Sequence, residues 1–182
     1  MKAWLLVLAL AACTDGGARP EVPPCDAGCL DEVGVRALRE VMKLAFNLTL
    51  QGKPVGTHDV TVECPLGGSV RIRGTATSNA EQGSTFVELT YELDACKYTR
   101  RDDEPDETYA LEVTGAIEQR GTLAVQPTST TALRIRGTGV SVRGTVYDPP
   151  APYEVTGCEV LLVQSGNMLS GSLCERVVAF EL

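Results

Sequence analysis

Aromatic side chains are scarce in this chain. Only 5% of its 182 residues are Phe, Trp or Tyr, and the single tryptophan, Trp4, stands beside the N-terminus. A sugar cleft built around two carboxylates also needs aromatic walls, so glycoside hydrolysis finds no support. Histidine occurs once, in Gly56-Thr57-His58-Asp59, and no GxSxG sequence occurs anywhere. A Ser-His-Asp or Cys-His site would have to rest on that one imidazole, and a strand-surface histidine is the plainer reading. Positive charge is short as well. The 16 Lys and Arg face 24 Asp and Glu, for a net charge of -8. That balance repels phosphate backbones, so no nucleic acid partner is expected. The reading is of a protein that is not an enzyme, with no catalytic residue, cofactor or metal.

What is present begins with an export signal. Lys2 precedes an apolar run over residues 3 to 10, well short of the roughly 20 residues that cross a bilayer as a helix. The run reads as a signal h-region. Leu10-Ala11-Ala12-Cys13 follows at once and resembles the lipobox of bacterial lipoproteins. That resemblance implies that residues 1 to 12 are a signal peptide that is removed, and that Cys13 becomes lipidated and anchored to the cell-envelope membrane by acyl chains. Thr14, in place of aspartate, implies transfer to the outer membrane under the sorting rule of enterobacterial lipoproteins. Cys64-Pro65-Leu66-Gly67-Gly68 and Ser170-Gly171-Ser172-Leu173-Cys174 are similar to phrases in small cysteine-containing envelope lipoproteins of the myxobacterial type. This second resemblance implies no activity.

Cysteine usage agrees with export. Besides Cys13 the chain has Cys25, Cys29, Cys64, Cys96, Cys158 and Cys174, an even set that reads as up to three disulfides in an oxidising compartment. The set is scattered and contains no CxxC, which disfavours zinc. Residues 13 to 29 are rich in Gly and Pro and read as the lipidated cysteine and a flexible tether. Within them Cys25 and Cys29 either close a short loop or pin the tether to the body, and the local pair is the expected one.

Residues 30 to 182 read as a single β-rich domain. One helical stretch spans 31 to about 46, because Val33, Ala37, Val41, Leu44, Ala45 and Leu48 recur at three- and four-residue intervals and Asp31 can cap the first turn. Gly34 is out of place there. Beyond Gly52 the pattern turns to Thr, Val and Gly with turn residues about every ten positions. Strands are expected near 55–63, 68–77, 84–94, 108–119, 121–126, 131–137, 139–147, 153–164 and 168–181. This spacing makes an antiparallel meander sheet, mainly β, which is packed against the N-terminal helix or partly rolled. Val70, Ile72, Gly74 and Ala76 oppose Val87, Leu89, Tyr91 and Leu93 on one face, whereas Arg71, Arg73, Glu88 and Glu92 share the other.

Register bears on two cysteine pairs. A three-residue hairpin loop at Ser165-Gly166-Asn167 would set Val163 against Leu169, Leu161 against Gly171 and Cys158 against Cys174, close enough for a disulfide. Cys64 and Cys96 are then the pair left over, provided that Pro65 and Gly67-Gly68 reset the strand phase. The acidic run Asp102-Asp103-Glu104-Pro105-Asp106-Glu107 lacks EF-hand spacing and reads as a solvated loop. The functional expectation is a lipid-anchored envelope protein with a non-enzymatic binding or structural role and an unknown envelope protein partner. The alternative is a carrier that holds a lipid or other apolar ligand in a curled sheet.

Overall fold

The computed structural model of the chain describes residues 23–50, 55–79, 84–124 and 131–182. The leader, Cys13 and the first part of the expected tether lie outside the described residues.

A single helix, α1 (Ala27–Leu50), opens the fold. It starts four residues before the expected position. Asp26, not Asp31, caps it, accepting the Cys29 N–H on Oδ1 at 2.9 Å. The Cys25–Cys29 disulfide braces this first turn, so the end of the expected tether is helix. Asp31 is instead buried and meets Arg176 at 2.8 Å. The apolar stripe of Val33, Ala37, Leu38, Val41, Met42 and Ala45 is buried against the sheet.

Eight strands follow: β1 (Gly56–Glu63), β2 (Ser69–Asn79), β3 (Ser84–Arg100), β4 (Tyr109–Ala124), β5 (Ala132–Val146), β6 (Ala151–Ser165), β7 (Met168–Leu173) and β8 (Arg176–Glu181). They form one antiparallel sheet in chain order, with β1 and β8 at its edges and not paired with each other. The sheet is thus an open meander packed on the N-terminal helix. Two expected breaks are bends within one strand. At Gly121 φ is +132° and a Cβ would meet the Ala132 carbonyl oxygen at 2.1 Å, so the backbone of β5 approaches closely and β4 continues. In β5 a bulge lies between Gly137 and Val140. The expected last strand is divided instead, because Cys174 and Glu175 take positive φ and turn the chain between β7 and β8.

Alternation sorts the two faces as the sequence suggests. Val70, Ile72, Val87, Leu89, Ile117 and Ile135 are buried under α1. Outward charges are mostly neutralised, Arg71 by Asp59 at 2.7 Å, Arg120 by Glu88 at 2.8 Å, Arg73 by Glu92, and Arg143 by Glu112.

The sheet curls around α1, which touches both edge strands, β1 and β8. Arg36 draws the curl together. Its Nη2 donates to the Glu181 carbonyl oxygen at 3.3 Å, and its guanidinium lies 4.9 Å above the Phe180 ring. The same side chain meets Asp106 at 3.6 Å and Glu107 at 3.8 Å. The acidic run is therefore not a free solvated loop. It contains a 3-10 turn (Pro105–Glu107) docked on the helix, and Asp102 Oδ1 accepts the Asp103 N–H at 2.9 Å.

Three disulfides form, Cys25–Cys29, Cys64–Cys96 and Cys158–Cys174, with Cα separations of 5.3, 5.4 and 4.7 Å. The register behind the last one differs from the expectation. The β6–β7 turn has two residues, so Val163 opposes Ser170, Leu161 opposes Ser172 and Gln164 opposes Leu169. Gly166 at φ +59° suits a two-residue hairpin, and this register keeps Leu169 on the buried face. Cys174 reaches Cys158 from the following turn, not from a directly opposed strand position. Cys64 and Cys96 meet where the phase is reset twice, by Gly67 and Gly68 at positive φ and by a bulge between Leu93 and Cys96.

Candidate functional site

The curl does not fill completely. A cavity of about 740 Å³ lies between the second half of α1 and the concave face of the sheet. That is within the range of about 300–1,000 Å³ usual for small-molecule sites. Arg39, Met42, Lys43, Phe46 and Leu50, spaced at helical intervals, supply the helix wall. The sheet contributes an apolar floor that includes Ala76, Leu123, Leu133 and Ile135.

Polar side chains interrupt that floor, among them Gln119 and Gln164. Gln119 occupies an inward position of β4, is 7% exposed, and accepts the Tyr91 hydroxyl at 2.7 Å. Gln164 occupies an inward position of β6, is 1% exposed, and gives its Nε2 to the Gly166 carbonyl oxygen at 2.9 Å. Its Oε1 accepts Arg39 Nε at 3.3 Å. Burial pushes the Arg39 guanidinium below its ordinary value, with Glu40 opposing that shift. Glu40 lies 3.1 Å from Arg39 Nη1 and 3.4 Å from Lys43 Nζ. Arg100 lines the same hollow and is held by Asp102 at 2.9 Å and by Glu107. The Asp102 bond raises the Arg100 guanidinium and lowers the Asp102 carboxyl. Burial, assisted by Glu40, pushes the Tyr109 hydroxyl up to about 12. Burial raises Tyr91 and Tyr98 too, and Tyr98 donates its hydroxyl to the Ala37 carbonyl oxygen.

Among the described residues, those singled out for chemistry in the sequence do not converge on one another. His58 is half-buried on β1 and lines the cavity, instead of standing on an open strand surface. The carboxylates of the 102–107 run do not gather, and among the described residues no group of three or more His, Cys, Asp or Glu is placed to hold a metal ion. Cys13 lies outside the described residues. Sequence reasoning passed over Arg39, Gln119 and Gln164. The signal for the two glutamines was present, because each falls in phase with buried apolar neighbours, Gln119 with Ile117 and Gln164 with Leu162.

The outer face also carries an uncharged patch. Leu161, Ser172 and Val177 align across β6, β7 and β8, and Val177 is 83% exposed. Arg136 and Arg134 border it from β5, opposite Leu161 and Val163. No helix among the described residues is long and apolar enough to cross a membrane. No protein-family model, no curated protein and no solved structure matches this chain.

Proposed function

We propose that this chain is a lipid-anchored cell-envelope protein with a non-enzymatic role, and that it carries a lipid or other apolar ligand between α1 and its curled sheet. The observation that supports the carrier role is the cavity of about 740 Å³, because tightly packed cores leave few voids larger than a water molecule. The cavity's apolar part, made by Met42, Phe46, Leu50, Ala76, Leu133 and Ile135, offers a surface from which an alkyl chain can displace water favourably. Anchoring rests on the lipobox-like Leu10-Ala11-Ala12-Cys13, and export is consistent with three disulfides. A second reading, contact with an envelope protein, draws on the exposed Leu161, Val163 and Val177.

The Cys13→Ser chain tests both parts. It is expected in the soluble periplasmic fraction, and organic extraction of the purified protein is expected to yield a stoichiometric amphiphile by mass spectrometry. Retention in the membrane pellet would remove the anchor. An empty extract, together with no binding of a neutral fluorescent lipid probe, would remove the carrier role and leave the protein-contact reading.

A further inference from the structure

We infer that the cavity ligand is a single-tailed amphiphile with an anionic oxygen head, carboxylate or phosphate, and that Arg39 is the residue that receives the head. This inference rests on reading the cavity as a ligand site.

The helix wall has a direction. From Arg39 to Leu50 it runs about 16 Å, at about 1.5 Å per residue. Charge is confined to its first half, at Arg39, Glu40 and Lys43, whereas Phe46, Asn47 and Leu50 make the far end uncharged and mostly apolar. An amphiphile laid along this wall has one orientation that leaves neither its head in an oily region nor its tail among ions.

Arg39 is also incompletely used. Its side chain is 17% exposed, Nε is engaged by Gln164, and Nη1 is engaged by Glu40. Nη2 bonds nothing among the described residues, and a guanidinium carries more N–H donors than those two bonds take up. Unlike Arg36 Nε, Tyr109 Oη and Tyr153 Oη, which are buried without a partner, Arg39 Nη2 is reached by solvent, and a planar two-oxygen anion in the hollow would match the guanidinium's fork. Glu40 does not satisfy this demand alone, because Lys43 shares it. One carboxylate therefore serves two cations on this wall. Gln164 holds the guanidinium in place, and its amide is itself fixed by the Gly166 carbonyl oxygen.

The test uses the Cys13→Ser chain recovered without detergent. Hexadecanoic acid, hexadecanol and hexadecyltrimethylammonium compete against a neutral fluorescent probe at a pH where the acid is ionised. The acid is expected to bind at least about tenfold tighter than the alcohol, as a charge-assisted pair requires. Arg39→Met is expected to abolish that difference while leaving alcohol affinity within about twofold, because its stem still covers the wall. Should Arg39→Met fail to fold, Arg39→Lys carries the test. It retains the charge without the fork and is expected to lose several-fold in acid affinity only. Equal affinity for acid and alcohol, tighter binding of the cation, or an acid preference that survives both substitutions would overturn the head-group assignment while the cavity still binds its probe. If the probe and all three competitors fail to bind, the carrier reading falls, and this inference falls with it.

Discussion

Gly34 shows how a residue that looks wrong for its element is right for its neighbour. It lies in the middle of α1, where glycine destabilises a helix by about 1 kcal/mol relative to alanine. In the fold it is buried, and a Cβ there would stand 2.4 Å from Cζ of Tyr153. Tyr153 is 4% exposed, so its ring would have to shift against packed neighbours. Gly34→Ala should therefore destabilise the protein by about 1–3 kcal/mol, the usual effect of overpacking, instead of improving the helix. Urea unfolding of the variant measures this, and an increase in midpoint would refute the contact. Arg39 belongs to the same scale. In sequence it is one more charge on the helix, and the position of Gln164 across the hollow reveals it as a cavity residue.

Among the elements, the 102–107 segment departs most from its sequence. Five carboxylates in six residues read as solvated, yet Glu107 lies near Arg36 and Arg100, and Asp106 lies near Arg36. Replacing 102–107 with a Gly-Ser turn should destabilise the protein by on the order of 1–3 kcal/mol, through two partly buried guanidiniums left short of acceptors. At about 2–4 °C per kcal/mol for a domain of this size, a thermal melt resolves that loss, and an unchanged midpoint would return the segment to a free loop. The β1 to β3 alternation, with its oily and charged faces, was legible because burial on one side enforces a period of two. The breaks drawn inside β4 and β5 were misread because glycine in a strand can signal either a turn or a close approach by the neighbouring backbone. Only the facing strand decides which. The Cys158–Cys174 bond was legible for a partly mistaken reason. A two-residue turn shifts the register by one, and the turn at Cys174 restores the proximity. The cavity was not legible, since an unfilled volume depends on how far a sheet curls, which no local pattern encodes.

At the scale of the molecule, the tyrosines of β3, β4 and β6 form a common alkaline limit. Burial raises the hydroxyls of Tyr91, Tyr98, Tyr109 and Tyr153, with Tyr109 at about 12. Folded pKa values above the unfolded one mean that the native state holds these protons more tightly. Their contribution is fully present below about pH 10 and is lost as pH rises through the folded values. Tyrosinate absorbance from these four should therefore appear together with loss of the far-ultraviolet strand signal above pH 10, and ionisation of all four with the fold intact at pH 11 would contradict their burial. Connectivity at the same scale orders the events by which the chain folds. Every strand pairs with its sequence neighbour, so each hairpin closes with little loss of chain entropy. The contacts of α1 with β8 are of another kind, since Asp31–Arg176 and Arg36–Glu181 each span 145 residues. The helix is synthesised first and its seam is completed last. Until β8 arrives, the curl rests on the contacts of α1 with the 102–107 segment and the earlier strands, and the apolar stripe of α1 is without its full cover. A chain without its final six-residue strand would thus keep every earlier hairpin and lose the two bonds that tie the first helix to the sheet's last edge.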